Sequence, residues 1–170
     1  GHAYPTLSRS ARICDVRDTR RVKAVLAEEH PEIVFHAAAL KHVPLMETHP
    51  SDSVLTNIVG SANVADAAIV SGASHFVFIS TDKAVDPPNV MGATKRLAER
   101  AVCQRRRPDG PRINVVRFGN VLGSAGSVVP TFLAQIASGG PVTLTHPDIE
   151  RYFMTIPEAV QLVLHATAKS

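Results

Sequence analysis

The chain has 170 residues, 45% hydrophobic and 19% charged, with 18 basic against 15 acidic side chains and a formal charge of +3. That length supports one core, and this ordinary globular composition excludes disordered and collagen-like classes. So small a basic surplus, with one short cluster at Arg105, Arg106 and Arg107, argues for no nucleic-acid partner. Cys14 and Cys103 stand far apart without a C-x-x-C, so neither a zinc site nor a disulfide scaffold is expected. No run of eighteen apolar residues suggests a membrane span, and no apolar run follows a basic start as in a signal peptide.

In chain order, residues Asp18 to Glu29 are expected to form a helix leading into a strand at Ile33–Ala38. Ser51 to Ser71 carries Val54, Leu55, Ile58, Val59, Ala62, Val64, Ala65 and Ala68 at helical spacing, and Gly72 closes it. Phe76–Ile79 is the second strand, β-branched or aromatic at every position. A helix over Met91–Arg107 lies between Pro87-Pro88-Asn89 and Pro108-Asp109-Gly110, and Ile113–Phe118 is the third strand. Helices over Val129–Ser138 and Pro157–Ala168 complete the set, with Pro157 suited to a first helical turn. Continuous apolar strands alternating with helices specify an α/β, Rossmann-like doubly wound parallel sheet in a single domain over residues 1–170.

Such sheets bind ligands beyond the carboxyl ends of their strands, which singles out Ser80, Thr81, Asp82 and Lys83 after the second strand. A hydroxyl, a carboxylate and an amine in succession can donate a hydrogen bond and act as acid and base; an equally simple reading makes Asp82 a turn cap and Lys83 a solvated side chain. Met91 and Lys95 lie one helical turn apart and share a face. His36, inside a strand, reads as a satisfied core histidine, and no histidine or cysteine spacing suggests a metal. No G-x-G-x-x-G occurs; Gly119, Gly123 and Gly126 follow the third strand with a different spacing.

Six blocks carry a family resemblance: Phe35–Pro44 (FHAAALKHVP), Thr56-Asn57, Ser80–Val85 (STDKAV), Asn89–Lys95 (NVMGATK), Val116–Ser124 (VRFGNVLGS) and Arg151–Thr155 (RYFMT). In this order, over about Ile13 to Ala166, the chain resembles the UDP-N-acetylglucosamine 4,6-dehydratases of polysaccharide biosynthesis, extended short-chain dehydrogenase/reductases. The wider superfamily carries Y-x-x-x-K on the helix; Met91 in place of the tyrosine is similar to the large membrane-anchored branch. The resemblance implies NAD (or NADP) as cofactor and a UDP-sugar substrate, and catalytic roles for Thr81, Asp82, Lys83, Met91 and Lys95. It further implies cofactor contacts from Asp15, Val16, Ala37, Ala38, Ala39, Asn57, Ser80, Lys95 and Asn120. Substrate contacts are implied for Lys41, Asn120, Gly126, Ser127 and Arg151.

On this resemblance the chain is expected to be the central fragment of a catalytic domain. The first β-α-β unit with its Gly-rich loop would lie upstream, so the piece alone would bind the dinucleotide poorly and be inactive. The chain itself is expected to be soluble. Its parent would be anchored at the cytoplasmic face of the bacterial inner membrane, with a homo-oligomer open. Two rival readings stand beside it: a nucleotide-sugar epimerase of the same superfamily, and a non-catalytic assembly core of a larger membrane protein.

Overall fold

The computed structural model describes residues 10–123, 128–144, 146, 148 and 150–169. Helix α1 (Thr19–Glu29) starts where the Asp18 carboxylate accepts from the Arg21 N–H and ends at His30 in the left-handed region. Strand β1 (Ile33–His36) follows, then a short helix α2 (Val43–Thr48), which the sequence reading missed. The run expected over Ser51–Ser71 is helical but not uniform: α3 (Pro50–Val54) passes into a π-helical turn (Leu55–Val59) and then α4 (Gly60–Val70). By length and composition Pro50–Val70 matches a membrane-crossing helix, yet half of it is buried within this fold.

Strand β2 (His75–Thr81) runs two residues past its apolar core and turns directly into a single 3-10 turn at Asp82–Ala84. Helix α5 (Val90–Cys103) is capped by the Asn89 side chain accepting from the Gly92 N–H. It ends four residues short of the expected Arg107. Pro108 bars helical backbone at the residue before it, Arg105 turns away to pair with Asp66 of α4 at 2.7 Å, and Arg106 bonds the Ile113 carbonyl. Two arginines of the basic cluster thus tie the end of α5 to its neighbours.

Strand β3 (Arg112–Phe118) completes a three-stranded parallel sheet in the order β1-β2-β3. Directly after it the chain leaves that sheet: β4 (Asn120–Val121) pairs in parallel with β5 (Phe153–Met154), a small second sheet not expected from sequence. Helices α6 (Val128–Ala137) and α7 (Ile156–Ala168) lie close to their expected bounds. The capping box between Thr155 and Glu158 starts α7, with Pro157 in its first turn.

The core follows from strand alternation. Phe76, Phe78 and Ile113 face one way and pack with Val22 of α1, Val64, Ala65 and Ala68 of α4, and Ala98 and Val102 of α5. Alanines along α4 let the helix lie close against the sheet. On the opposite face α7 covers β2 and β3, where Val77 and Val116 are buried and Asn114 Nδ2 donates to the Ala166 carbonyl. With helices on both faces of a parallel sheet, the fold is the doubly wound α/β arrangement expected.

Candidate functional site

A cleft of about 550 Å³ opens at the carboxyl ends of β1, β2 and β3. Its walls include Ala37, Ala39 and Lys41 after β1, Ser80, Thr81 and Lys83 after β2, Asn120 after β3, and Met91 and Lys95 of α5. Arg151, preceding β5, also lines it. Segments separated by more than a hundred residues in sequence therefore meet here, where strand ends in an open α/β sheet leave a crevice.

The Thr81–Asp82–Lys83 turn is internally bonded. Thr81 Oγ1 donates to Asp82 Oδ1 at 2.9 Å, and Lys83 Nζ donates to Asp82 Oδ1 at 3.0 Å and to Asn120 Oδ1 at 3.2 Å. Partial burial works against the Asp82 charge, but the bonds from Lys83 and Thr81 outweigh it and hold the carboxyl below its ordinary range. Asp82 rests as a carboxylate, and Lys83 is neither a free surface amine nor solvated alone.

Two glycines bring the elements this close. A Cβ on Gly92 would stand 2.3 Å from the Lys83 carbonyl, so the first turn of α5 lies directly against the 3-10 turn. A Cβ on Gly119 would stand 2.8 Å from the Tyr152 carbonyl and 3.5 Å from Asp82 Oδ2. That close approach lets β4 leave the main sheet beside the carboxylate.

Lys95 is 6% exposed, donates from Nζ to the Ile79 carbonyl at 2.6 Å and sits 4.1 Å over the Phe78 ring. Burial lowers its pKa to about 8, against the opposing pull of Glu99 one turn on. Met91, also buried, forms apolar wall beside it. Beneath this layer Ser80 Oγ donates to Glu99 at 2.5 Å, and Arg117 of β3 grips the same carboxylate from both Nε and Nη2.

Asn57 does not line the cleft. Buried in the π-helical turn, it accepts from the Leu40 N–H at 2.8 Å, donates to the Leu40 carbonyl at 3.1 Å and to Thr94 Oγ1 at 3.1 Å. It thereby fixes the loop that carries Ala37, Ala39 and Lys41 against α5. The π turn has a visible use: it aims one amide at a backbone segment and a neighbouring helix together. Next to it, Ser61 donates to the Asn57 carbonyl at 2.6 Å, which assigns the Nε2 proton to His36 in their 2.9 Å contact. His36, stacked on Phe78, has its pKa lowered by burial to about 4. It is the satisfied core histidine expected.

Among the other anticipated residues, Ala38 is not in the cleft wall, and Asp15 lies on the surface bonded to Arg17. Val16 packs against Gly60, so its side chain serves the core. Gly126 and Ser127 lie outside the described residues. Sequence reasoning missed the wall residues His42, Phe118, Phe132, Thr143 and Leu144, together with Glu99 and Arg117. For the last pair the signal was present: Glu99 lies at i+4 from Lys95, and Arg117 interrupts an apolar strand. Among the described residues no group of three or more His, Cys, Asp or Glu is placed to hold a metal ion.

The chain is 54% identical over 156 residues to the probable polysaccharide biosynthesis protein EpsC of Bacillus subtilis, and 57% identical over 158 residues to the capsular polysaccharide biosynthesis protein CapD of Staphylococcus aureus. Each match covers 92% of this chain but 26% of the relative, so the chain spans about a quarter of those proteins. A UDP-glucose 4-epimerase of Rickettsia massiliae is 41% identical over 157 residues, 90% of this chain and 46% of its own. Among solved structures, Pen from Bacillus thuringiensis superposes with a TM-score of 0.85 at 38% identity, covering 94% of this chain and 49% of that one. Bordetella bronchiseptica WbmG in complex with NAD and UDP shares the fold, with a TM-score of 0.79 at 21% identity over 96% of this chain and 55% of that one. The family model described as polysaccharide biosynthesis protein matches residues 3–170, and the chain belongs to that family.

Proposed function

We propose that this chain is the central part of an NAD(P)-dependent nucleotide-sugar 4,6-dehydratase that converts UDP-N-acetylglucosamine to a 4-keto-6-deoxy sugar nucleotide in glycan biosynthesis. The observation that carries the proposal is the bonded Thr81–Asp82–Lys83–Asn120 group, of which Thr81, Lys83 and Asn120 line a cleft shared with the buried Lys95. We further propose that the parent protein is anchored, by a segment outside this chain, at the cytoplasmic face of a bacterial inner membrane.

The residues present fit the nicotinamide-ribose end of a dinucleotide. Ala37 and Ala39 put only methyl groups into the cleft, leaving the backbone approachable, and Lys95 offers a buried cation with a fixed direction. When bound, the dinucleotide supplies the acceptor and donor of hydride. Everything else falls to side chains of this chain. Because Thr81 already donates to Asp82, the proton of the sugar's C4 hydroxyl passes to Thr81 and arrives on Asp82 as the C4 hydride departs, leaving a 4-ketone. Lys83, whose Nζ lies 3.0 Å from Asp82, enters the cycle as the free amine, its ammonium proton released to solvent.

Lys83 then takes the C5 proton, acidified by the ketone, while Asp82 gives its proton to the C6 oxygen. The C6–O bond breaks and water leaves. As hydride returns to C6, Lys83, its ammonium hydrogens exchanged with solvent, gives a proton to C5. The protons balance: O4 and C5 each lose one, and the departing water and C5 each gain one. Lys41 and Arg151, both in the cleft wall, suit the diphosphate, and Asn120 links the sugar to Lys83. Met91 supplies no proton and keeps the wall beside Lys95 apolar.

The test is product analysis of the full-length protein with UDP-N-acetylglucosamine in D2O. The expected product is a 4-keto-6-deoxy sugar nucleotide with deuterium at C5, its C6 hydride drawn from C4. A second reading, C4 epimerisation, is favoured by the 41% identity to a protein named UDP-glucose 4-epimerase. It uses neither an acid at C6 nor a base at C5. A C4 epimer free of deuterium would establish it and overturn the dehydratase reading.

A further inference from the structure

The Glu99 carboxylate is nearly enclosed, at 5% exposed, although none of its atoms lines the cleft. Burying a carboxylate is costly unless it is paired and hydrogen-bonded, so three partners converging on one such group call for an explanation. Arg117 approaches from β3 with two nitrogens, Ser80 from the end of β2 with its hydroxyl, and Lys95 lies one turn earlier on the same helix face. Half-exposed Arg117 is the solvent end of this chain of contacts, and Lys95 and Ser80 are the cleft end.

We infer that Glu99 is a positioning residue for the site: its carboxylate, anchored by Arg117, locks the Ser80 hydroxyl as a donor into the core and supplies the fixed negative charge that faces Lys95. The chemistry at Ser80 follows from its single proton. With that proton directed to Glu99, Ser80 offers only lone pairs to the cleft, so it accepts from a ligand N–H or O–H and cannot donate to a carbonyl. At Lys95 the ammonium is stripped of water, held by one carbonyl and one ring face, and Glu99 is its anionic counterweight. Burial works against ionisation of Glu99, but Arg117, Ser80 and Lys95 together keep its carboxyl below the ordinary range. Among the described residues, His36 from β1 also lies near enough to interact with Lys95, and it stays neutral above about pH 4.

The consequence for turnover rests on the dehydratase reading, whereas the consequence for Lys95 does not, and the experiment separates them. In the full chain, Lys95 is titrated by carbon NMR at its ε-methylene in the parent, in Glu99→Gln and in Arg117→Met. The glutamine keeps an acceptor for Ser80 and removes the charge, so the Lys95 midpoint is expected to fall from about 8 by roughly one pH unit, an attraction at a few ångströms screened by an effective dielectric near 20 or above. Arg117→Met leaves Glu99 unopposed, so the midpoint is expected to rise. Loss of folding cannot move the two variants in opposite directions. In the full-length enzyme Glu99→Gln is expected to lower kcat by about 10²-fold with KM little changed, the size of a small misplacement of reacting groups, and Glu99→Asp to restore part of it. A Lys95 midpoint unmoved in both variants would overturn the inference. A moved midpoint in a protein that makes no 4-keto product would uphold it and sink the dehydratase reading instead.

Discussion

The stretch from α1 to β3 and the stretch from β4 to α7 contribute to the same cleft, yet they bury themselves very differently. In the first, Phe76, Val77 and Phe78 are fully enclosed and three helices close one face of the sheet. In the second, α6 buries no residue, and Leu133, Ile136, Leu144 and Leu164 are each more than half exposed. The groups proposed to react, Thr81, Asp82, Lys83 and Lys95, stand on the enclosed stretch; Arg151, Thr143, Leu144 and Phe132 come from the other. Within this chain, the groups proposed to react stand on elements locked by packing, and Arg151, Phe132 and their neighbours on elements that bury little of themselves against it.

The sharpest way to test that division is to remove one group from each stretch. If the proposed dehydration is its reaction, Lys83→Met in the full-length protein is expected to reduce turnover by about 10²–10⁴-fold, the range for losing a general base, with the far-UV spectrum unchanged. Arg151→Ala is expected to raise KM for the nucleotide sugar more than it lowers kcat. Equal losses in kcat from both variants would erase the distinction between a reacting and a holding wall.

A second test uses pH on the enclosed stretch alone. His36 has a folded pKa of about 4 against an ordinary 6.5, so the unfolded chain binds more protons between those values. Its contribution is fully present above about 6.5 and is lost as pH falls through the window toward 4, in all about 3 kcal/mol. Lys95 has the same sign in a different window: its buried charge costs stability below about 8, and that cost is relieved as pH rises toward 10.5. Urea midpoints at closely spaced pH values check both. A His36→Gln variant should flatten the acid limb; an unchanged limb would assign the acid sensitivity elsewhere.

A smaller effect is expected at the contact between α5 and the 3-10 turn. Gly92→Ala puts a methyl group where the Lys83 carbonyl stands, and overpacking of this kind costs about 1–3 kcal/mol. Thermal denaturation should show the loss, and activity should fall further than stability because the displaced backbone is that of Lys83. The smallest effect belongs to the open stretch: Leu133→Ser with Ile136→Ser should change stability by no more than about 0.5 kcal/mol, as surface substitutions do. A loss of several kcal/mol there would mean that α6 is packed far better than its exposure indicates.

Much of this molecule was legible from one dimension. Apolar runs at Ile33, Phe76 and Ile113 announced three parallel strands, and the position of Thr81 and Lys83 after the second pointed to the cleft they line, because period and strand-end location are local properties. Boundaries failed where side chains from elsewhere intervened: α5 stops early as Arg105 turns to Asp66, and α2 forms although its six residues carry no helical periodicity. The two-stranded β4–β5 sheet was invisible because two residues on each side carry no pattern, and only the fold brings Asn120 opposite Phe153. Asn57 was singled out by resemblance as a cofactor contact, and that its amide clamps the Leu40 backbone and Thr94 is a matter of tertiary distance.

By itself, then, the sequence determined the three main strands, the longer helices, and which residues carry an acid, an amine and a hydroxyl side by side. Tertiary structure alone decided their chemical state. Asp82 is held ionised by Lys83 and Thr81, Lys95 is desolvated over Phe78, and Ser80 has its proton turned inward to a carboxylate nineteen positions away. The physical reason is that residue type and period act between near neighbours, whereas desolvation, hydrogen-bond direction and ion pairing depend on what the fold brings within a few ångströms.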